Sequence, residues 1–332
     1  MATKNDVLKL GIDTIKGAVS GDFSHGDMAE GFRDGLIELN GGSTKLDIRT
    51  FHRGTELYAL IEEILPYITA SGLHGDEFFM NLVDERNLAE GDMNEFWTQD
   101  RSLFLVSNIA QGSQAVRRQR LDAGEKVSIP TQLRAIKIYE ELRRLMAGRV
   151  DFNDLIERVG QSFAQAIRQD IFNVFNGMTA STAGLSGTYV KSGTYDEDTM
   201  LDLIAHVEAE TGMPATLYGT KKALRKLTTA VVSDEAKSDL YNLGYYGRFN
   251  GTPMVSVRQV HKAGTDTFVL PDNKVYVIAA GDKPIKFVNE GQGLLIEHTS
   301  TEQADLTQTY LYGQAYGCAA MCNEVMGIYS MT

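Results

Sequence analysis

The 332-residue chain carries 32 Lys+Arg against 44 Asp+Glu, a formal net charge of −12 at pH 7, with 43% hydrophobic and 23% charged residues. That composition excludes a disordered chain and leaves ample apolar surface for one or two cores, while the acidic balance excludes a protein that grips nucleic acid over its whole surface. No apolar run approaches the roughly 20 residues of a membrane span, the N-terminal MATKNDVLKLGIDTIKG lacks the uninterrupted apolar stretch of a secretory signal, and two cysteines are too few for a disulfide framework, so a soluble cytoplasmic protein is expected.

Residues 1–50 scatter apolar side chains among many glycines and are expected to form an extended arm with short helical pieces. TELYALIEEILPYIT (55–69) predicts a short helix that Pro66 ends or kinks, and 76–88 predicts another with Phe78, Phe79, Leu82 and Val83 inward. Between 92 and 134 the pattern changes. RSLFLVSNIA, the turn-prone QGS and QAVRRQRL predict two strands of a hairpin that Pro130 closes. Its second strand carries Arg117, Arg118 and Arg120 and offers little apolar surface to a core, so the hairpin is expected to project. IKIYEELRRLM (136–146) returns to helical spacing, and Gly148 stops it.

Asp151 then caps DFNDLIERVGQSFAQAIRQDIFNVFNG, in which Phe152, Leu155, Ile156, Val159, Phe163, Ile167, Ile171, Val174 and Phe175 recur by threes and fours. At about 1.5 Å per residue this helix is roughly 40 Å long. An ordinary amphipathic core helix has the same pattern, so the flanking segments must decide what it serves. Gly160, in its middle, costs roughly 1 kcal/mol relative to alanine and needs a reason, either close packing or a hinge.

After Gly177 a small, polar connector leads to a helix at 196–211, a buried strand in MPATLYGT, the helix KKALRKLTTAV, and short strands in TPMVSVRQV, DTFVLPD, KVYVIAAGD and IKFVNE. These predict an α/β unit with a mostly antiparallel sheet. The last stretch, from GLLIEH to GIYS, alternates over a long span, as strands pairing back onto the first region do. Charge is uneven along the chain: 8 basic against 19 acidic residues in 1–100, 12 against 8 in 101–178, and 12 against 17 in 179–332. In a self-associating protein this lets a basic segment meet a neighbour's acidic one.

Signals for catalysis are thin. His25, His52, His74, His206, His261 and His298 lie far apart without metal-ligand spacing. Gly219-Thr220-Lys221-Lys222 follows a strand, but Pro214 stands where a phosphate loop needs glycine, so a helix start is expected. Asn250-Gly251-Thr252 reads as a turn between strands. Cys318 and Cys322 are four apart, one face of a strand, and are expected as buried thiols. An α/β hydrolase or transferase with its site in the second region stays open on these residues alone.

The order of segments, with VSIPTQLRAIKI leading to the long helix and FVLPDNKVYVIAAGDKPIKFV leading to a β-rich end, resembles the major capsid proteins of tailed double-stranded DNA bacteriophages, over about residue 50 to the C-terminus. The resemblance implies an α+β fold of the Hong Kong 97 type. Its parts would be an N-terminal arm (1–50), a peripheral domain (51–91, 135–178 and 301–332) with a spine helix at 151–177, an extended hairpin loop (92–134) and an axial domain (179–300). It also implies a structural, non-enzymatic protein of the virion, assembled in the host cytoplasm into hexamers and pentamers of an icosahedral shell. A separate scaffolding protein, a portal and packaged DNA held without sequence specificity would be its partners, with no cofactor, metal or membrane. Arg117, Arg118 and Arg120 become candidate intersubunit contacts and Gly160 a candidate hinge. Relatives with cross-links join a loop lysine to a distant asparagine; Lys126 and Asn323 exist here, but neither matches such a site. An encapsulin-type compartment shares the fold and stays open at this point.

Overall fold

The computed structural model describes residues 34, 73, 77–98, 104–109, 118–120, 125–140, 152–178, 185–227, 241–262, 264–298, 308–322 and 324–332. The arm at 1–50 apart from residue 34, the predicted helix at 55–69 and Arg117 lie outside them.

The chain starts its described part with α1 (Glu77–Leu82), which runs directly into β1 (Val83–Leu88). One helix over 76–88 was expected, and its second half is a strand instead. VDERNL lies parallel to β10 (Ile285–His298), from Val83 opposite Ile285 to Leu88 opposite Glu290, a partner roughly 200 residues away in sequence. The helical part survives because Phe78 stacks edge-on against Phe172 and Phe175, with ring centroids 5.1 and 5.2 Å apart. A short β2 (Phe96–Thr98) and β3 (Glu125–Val127) follow, then β4 (Gln132–Glu140).

β4 replaces the start of the helix predicted over 136–146. IKIY satisfies the two-residue period of a strand as well as a helical one, and pairing decides. β4 runs antiparallel to β11 (Gln308–Ala320), from Gln132 opposite Tyr316 to Glu140 opposite Gln308. The first sheet therefore has the order β1-β10-β11-β4.

α2 (Phe152–Gly177) is the long helix, 26 residues beginning one position after the expected cap. Val159, Phe163, Ile167, Ile171 and Phe175 are buried at the spacing read from the sequence, Ala164 and Phe172 are buried with them, and Val174, expected inward, is only half-buried. The helix packs on β10 and β11, where Phe163 meets Tyr312 edge-on at 4.8 Å. Its C-terminal carbonyls attract a cation. Lys274 supplies one, donating from Nζ to the Asn176 carbonyl (3.4 Å) and to Asn176 Oδ1 (3.1 Å).

The second sheet has the order β5-β12-β9-β6-β8-β7, made of β5 (Val190–Gly193), β6 (Ala215–Thr220), β7 (Arg248–Phe249), β8 (Thr252–Val257), β9 (Lys274–Ala279) and β12 (Gly327–Met331). Pairing is mixed, with β5/β12 and β6/β8 parallel and the other three pairs antiparallel. DTFVLPD, expected as a strand, contributes only an isolated bridge between His261 and Phe268. α3 (Glu197–Thr211) covers β9, β12 and β6, capped by Asp196 at its start and by left-handed Gly212 at its end. α4 (Lys221–Arg225) starts at Thr220.

One apolar cluster joins α1 and α2 to both sheets, through Phe287 and Tyr316 of the first and Tyr276, Ile278 and Ile328 of the second. A separate cluster fills the space between α3, α4 and the second sheet. Sheet membership cuts across the expected segmentation at 300/301. β10, before that boundary, lies in the first sheet beside β11, and β12, after it, closes onto β9 and β5 in the second.

Candidate assembly interface

The segment at 92–134 leaves the body through a root built on the face of the first sheet opposite α2. β2 and β3 pair antiparallel, with Phe96 opposite Val127 and Trp97 opposite Lys126. The alternation of a strand turns Phe96 inward, buried with Ile129, Val288 and Met321. Trp97 turns outward, with the Lys126 ammonium 5.0 Å above its ring. Lys126 also reaches Glu95, Nζ to Oε2 2.6 Å. Asn94 Nδ2 donates to the Ile129 carbonyl at 2.5 Å, and Arg86 donates to the Glu95 carbonyl at 3.1 Å while its guanidinium sits 4.0 Å over the Phe96 ring. The returning segment crosses β11 at Gly317, where a Cβ would lie 2.5 Å from the Pro130 carbonyl oxygen. Only glycine lets the two backbones approach so closely.

Beyond the root, Phe104, Leu105, Val106 and Ile109 are exposed, Val106 at 92%. The two limbs were expected to pair as strands, yet 104–109 and 118–120 form none. A side chain takes the place of a ladder: the Leu105 N–H donates to Gln119 Oε1 (2.7 Å) and Gln119 Nε2 donates to the Leu105 carbonyl (2.8 Å). Arg118 and Arg120 flank this clasp and are exposed. The loop thus presents four large apolar side chains and a basic pair together, a surface costly to leave in water.

On the opposite face of the sheet, Asp170 of α2 accepts from the Tyr316 hydroxyl (3.0 Å) and from Arg134 (3.2 Å), which ties helix, β11 and β4 together. Burial, then the neighbouring Asp170 charge, pushes the Tyr316 phenol far up. Gly160 is buried in α2 beside Val159, away from these charged groups. The structure does not bring Gly160 into one site with Arg118 and Arg120, and Arg117 lies outside the described residues.

Groups that could do chemistry are dispersed. Among the described residues no three His, Cys, Asp or Glu are grouped to hold a metal. His206 stands edge-on to Tyr189 and His261 stacks near Phe268. Cys318 lies on β11, but Cys322 falls past that strand's end, so the two do not share a strand face as expected; both are free thiols. Burial pushes them up to about 11 and about 12 respectively, which keeps them protonated and unreactive. Thr220 is a helix N-cap, accepting from the Ala223 N–H and donating to Asp272 at 2.9 Å. Asn250 and Gly251, at φ 45° and 93°, make the turn between β7 and β8. Asn323 lies outside the described residues. A cavity of about 440 Å³ is lined by Asp84, Asp282, Lys283, Lys286 and Glu324 among others. Its buried Lys286 is neutralised by Asp84 at 3.0 Å, and no activated nucleophile faces it.

Residues 28–330 match the model of a family described as "SPbeta prophage-derived putative capsid protein YonB". The chain belongs to the YonB capsid-protein family. No curated protein matches the sequence. Solved structures with the same fold include the mature capsid of bacteriophage PhiM1, 9% identical over 77% of this chain and 87% of that one with a TM-score of 0.52. The capsid of a native GTA particle is 13% identical over 76% and 88%, with a TM-score of 0.53. A virus-like particle from Pyrococcus furiosus aligns at 15% identity over 80% and 98%, with a TM-score of 0.44, too low to argue for a compartment. The fold is of the Hong Kong 97 type, and this YonB-family chain is a structural major capsid protein of the virion. No helix among its described residues is long and apolar enough to cross a membrane.

Three residues that hold the loop were not read from the sequence: Gly317 and Glu290 at the root and Gln119 beyond it. Gly317 had a signal. In Tyr316-Gly317 a large residue facing α2 is followed by a glycine facing the loop root, and an isolated glycine within a strand is a mark of close backbone approach. Gln119 and Glu290 had none, because their partners are distant or backbone groups.

Proposed function

We propose that copies of this chain form the hexamers and pentamers of an icosahedral head that encloses packaged double-stranded DNA, and that the segment 92–134 lies over a neighbouring subunit. The observation that carries this reading is the exposed run Phe104, Leu105, Val106 and Ile109 on a firmly rooted loop. Such a surface is satisfied when a second copy covers it. Arg117, Arg118 and Arg120 then meet acidic residues of that copy, in keeping with a chain whose first hundred residues hold 19 acidic and 8 basic side chains. Each contact is weak, and closed symmetry multiplies it. A net charge of −12 suits a wall that repels packed DNA and does not grip it. Gly160 is the proposed hinge at which α2 bends in a rounder, immature shell. Assembly takes place in the host cytoplasm, with a separate scaffolding protein and a portal, and no catalysis.

Electron microscopy of the purified chain, alone and co-expressed with the candidate scaffolding protein from the same prophage, tests the reading. Head-sized shells with scaffold are expected. Small shells formed unaided around a protein cargo point to a compartment, and a monodisperse monomer under both conditions contradicts the proposal.

A further inference from the structure

Two crossings of the chain define the direction of the loop: the turn after β1, which leads out, and the segment before β4, which leads back. Both are held to the body by one carboxylate. Glu290 of β10 accepts from the Gly91 N–H at Oε1 (3.3 Å) and from the Thr131 hydroxyl at Oε2. Glu290 sits two residues beyond Val288, on the face of β10 away from α2, beside the irregularity that separates Glu290 from Leu294 in the pairing with β11. Gly291, at φ 70°, starts that irregularity.

The root is therefore attached to the sheet by contacts of two kinds. Phe96 and Ile129 rest on Val288 and Met321 through apolar contact, which is non-directional and tolerates rocking. Charge-assisted hydrogen bonds add direction: Arg86 of β1 holds the outgoing limb alone, at the Glu95 carbonyl, whereas Glu290 holds both the outgoing and the returning crossing. Asn94 to Ile129 and Leu105 to Gln119 join one limb to the other and leave the angle to the sheet unset. The ionised form of Glu290 is the one the fold favours, since donation from Thr131 and then from Gly91 holds its carboxyl below the ordinary range.

We infer that Glu290 is the positioning residue of the assembly loop: the apolar contact is its pivot, and the two-point carboxylate sets its angle for the neighbour. This inference rests on the proposal that 92–134 engages a second copy. Hydrogen exchange in the unassembled full-length subunit tests it. In Glu290→Ala, amides of 92–98 and 125–131 should exchange about tenfold faster, while those of α2 and α3 keep their rates. Thr131→Val, which deletes one donor only, should give a smaller rise in the same amides and keeps the test alive if Glu290→Ala fails to fold. Unchanged exchange at the root in the folded variants overturns the inference, as does an equal rise throughout α2 and α3, which would make Glu290 a general stabiliser. A loosened root with shells of normal yield would uphold Glu290 as the positioning group and contradict instead the loop's role in assembly.

Discussion

The cluster under α3 and the loop at 92–134 use the same kinds of side chain to opposite ends. Under α3, Met200, Leu203 and Val207 meet Leu217, Val275 and Val277, and all are fully buried within one subunit. On the loop, Phe104, Leu105, Val106 and Ile109 stay more than half exposed, although their root is as well packed as a core. The first region completes itself. The second is held out by a buried Phe96, a glycine crossing and a carboxylate, and its apolar surface lacks a cover within the described residues. In a shell protein, stability of the subunit and strength of the particle can thus reside in different residues.

Four variants sharpen that contrast. Phe175→Ala removes a ring buried against Phe78 and Tyr276, and about 3–5 kcal/mol of subunit stability should go with it; urea unfolding of the unassembled chain measures this. Reversing the charge of the loop in an Arg117→Glu, Arg118→Glu, Arg120→Glu variant should leave that unfolding curve within about 0.5 kcal/mol of wild type and lower shell yield at least tenfold. Sedimentation of lysates reports the yield, and normal shells would remove the arginines from the interface.

Asp272 gives a smaller effect with a definite pH dependence. Burial pushes its carboxyl up, but donation from Thr220, Gln259 and Lys222 outweighs burial and holds it below the ordinary range. The stabilisation is therefore complete above the ordinary aspartate range, about 4, and is lost as pH falls below it. Asp272→Asn should cost about 1–2 kcal/mol at pH 7, and the gap from wild type should narrow in unfolding curves taken at falling pH. Smallest is Gly160→Ala, which removes the glycine penalty of roughly 1 kcal/mol and should favour the straight helix. Micrographs of immature particles at wild-type yield, with the same bend in α2, would leave close packing as the reason for Gly160.

What could be read in advance follows the range of the interactions. α2 and α3 were legible because their apolar spacing lies within each segment, with Asp196 and Gly212 bounding α3. β1 and the first half of the expected 136–146 helix were misread because β10 and β11 impose their strand conformation from far along the chain. The exposure of the loop at Arg118 and Arg120 was legible from composition. Its anchoring was not, since Glu290 reaches partners 199 and 159 residues away. That 104–109 and 118–120 form no strand was equally hidden, because Gln119 joins them through a side chain that strand periodicity does not register.

The most direct test compares hydrogen exchange of the unassembled subunit with that of assembled particles. Amides of 104–109 should exchange at least tenfold more slowly in the particle, while those of α3 and β9, already buried within one subunit, should keep their rates. Equal exchange of 104–109 in the two states would mean that no neighbour covers the loop, and would contradict the account.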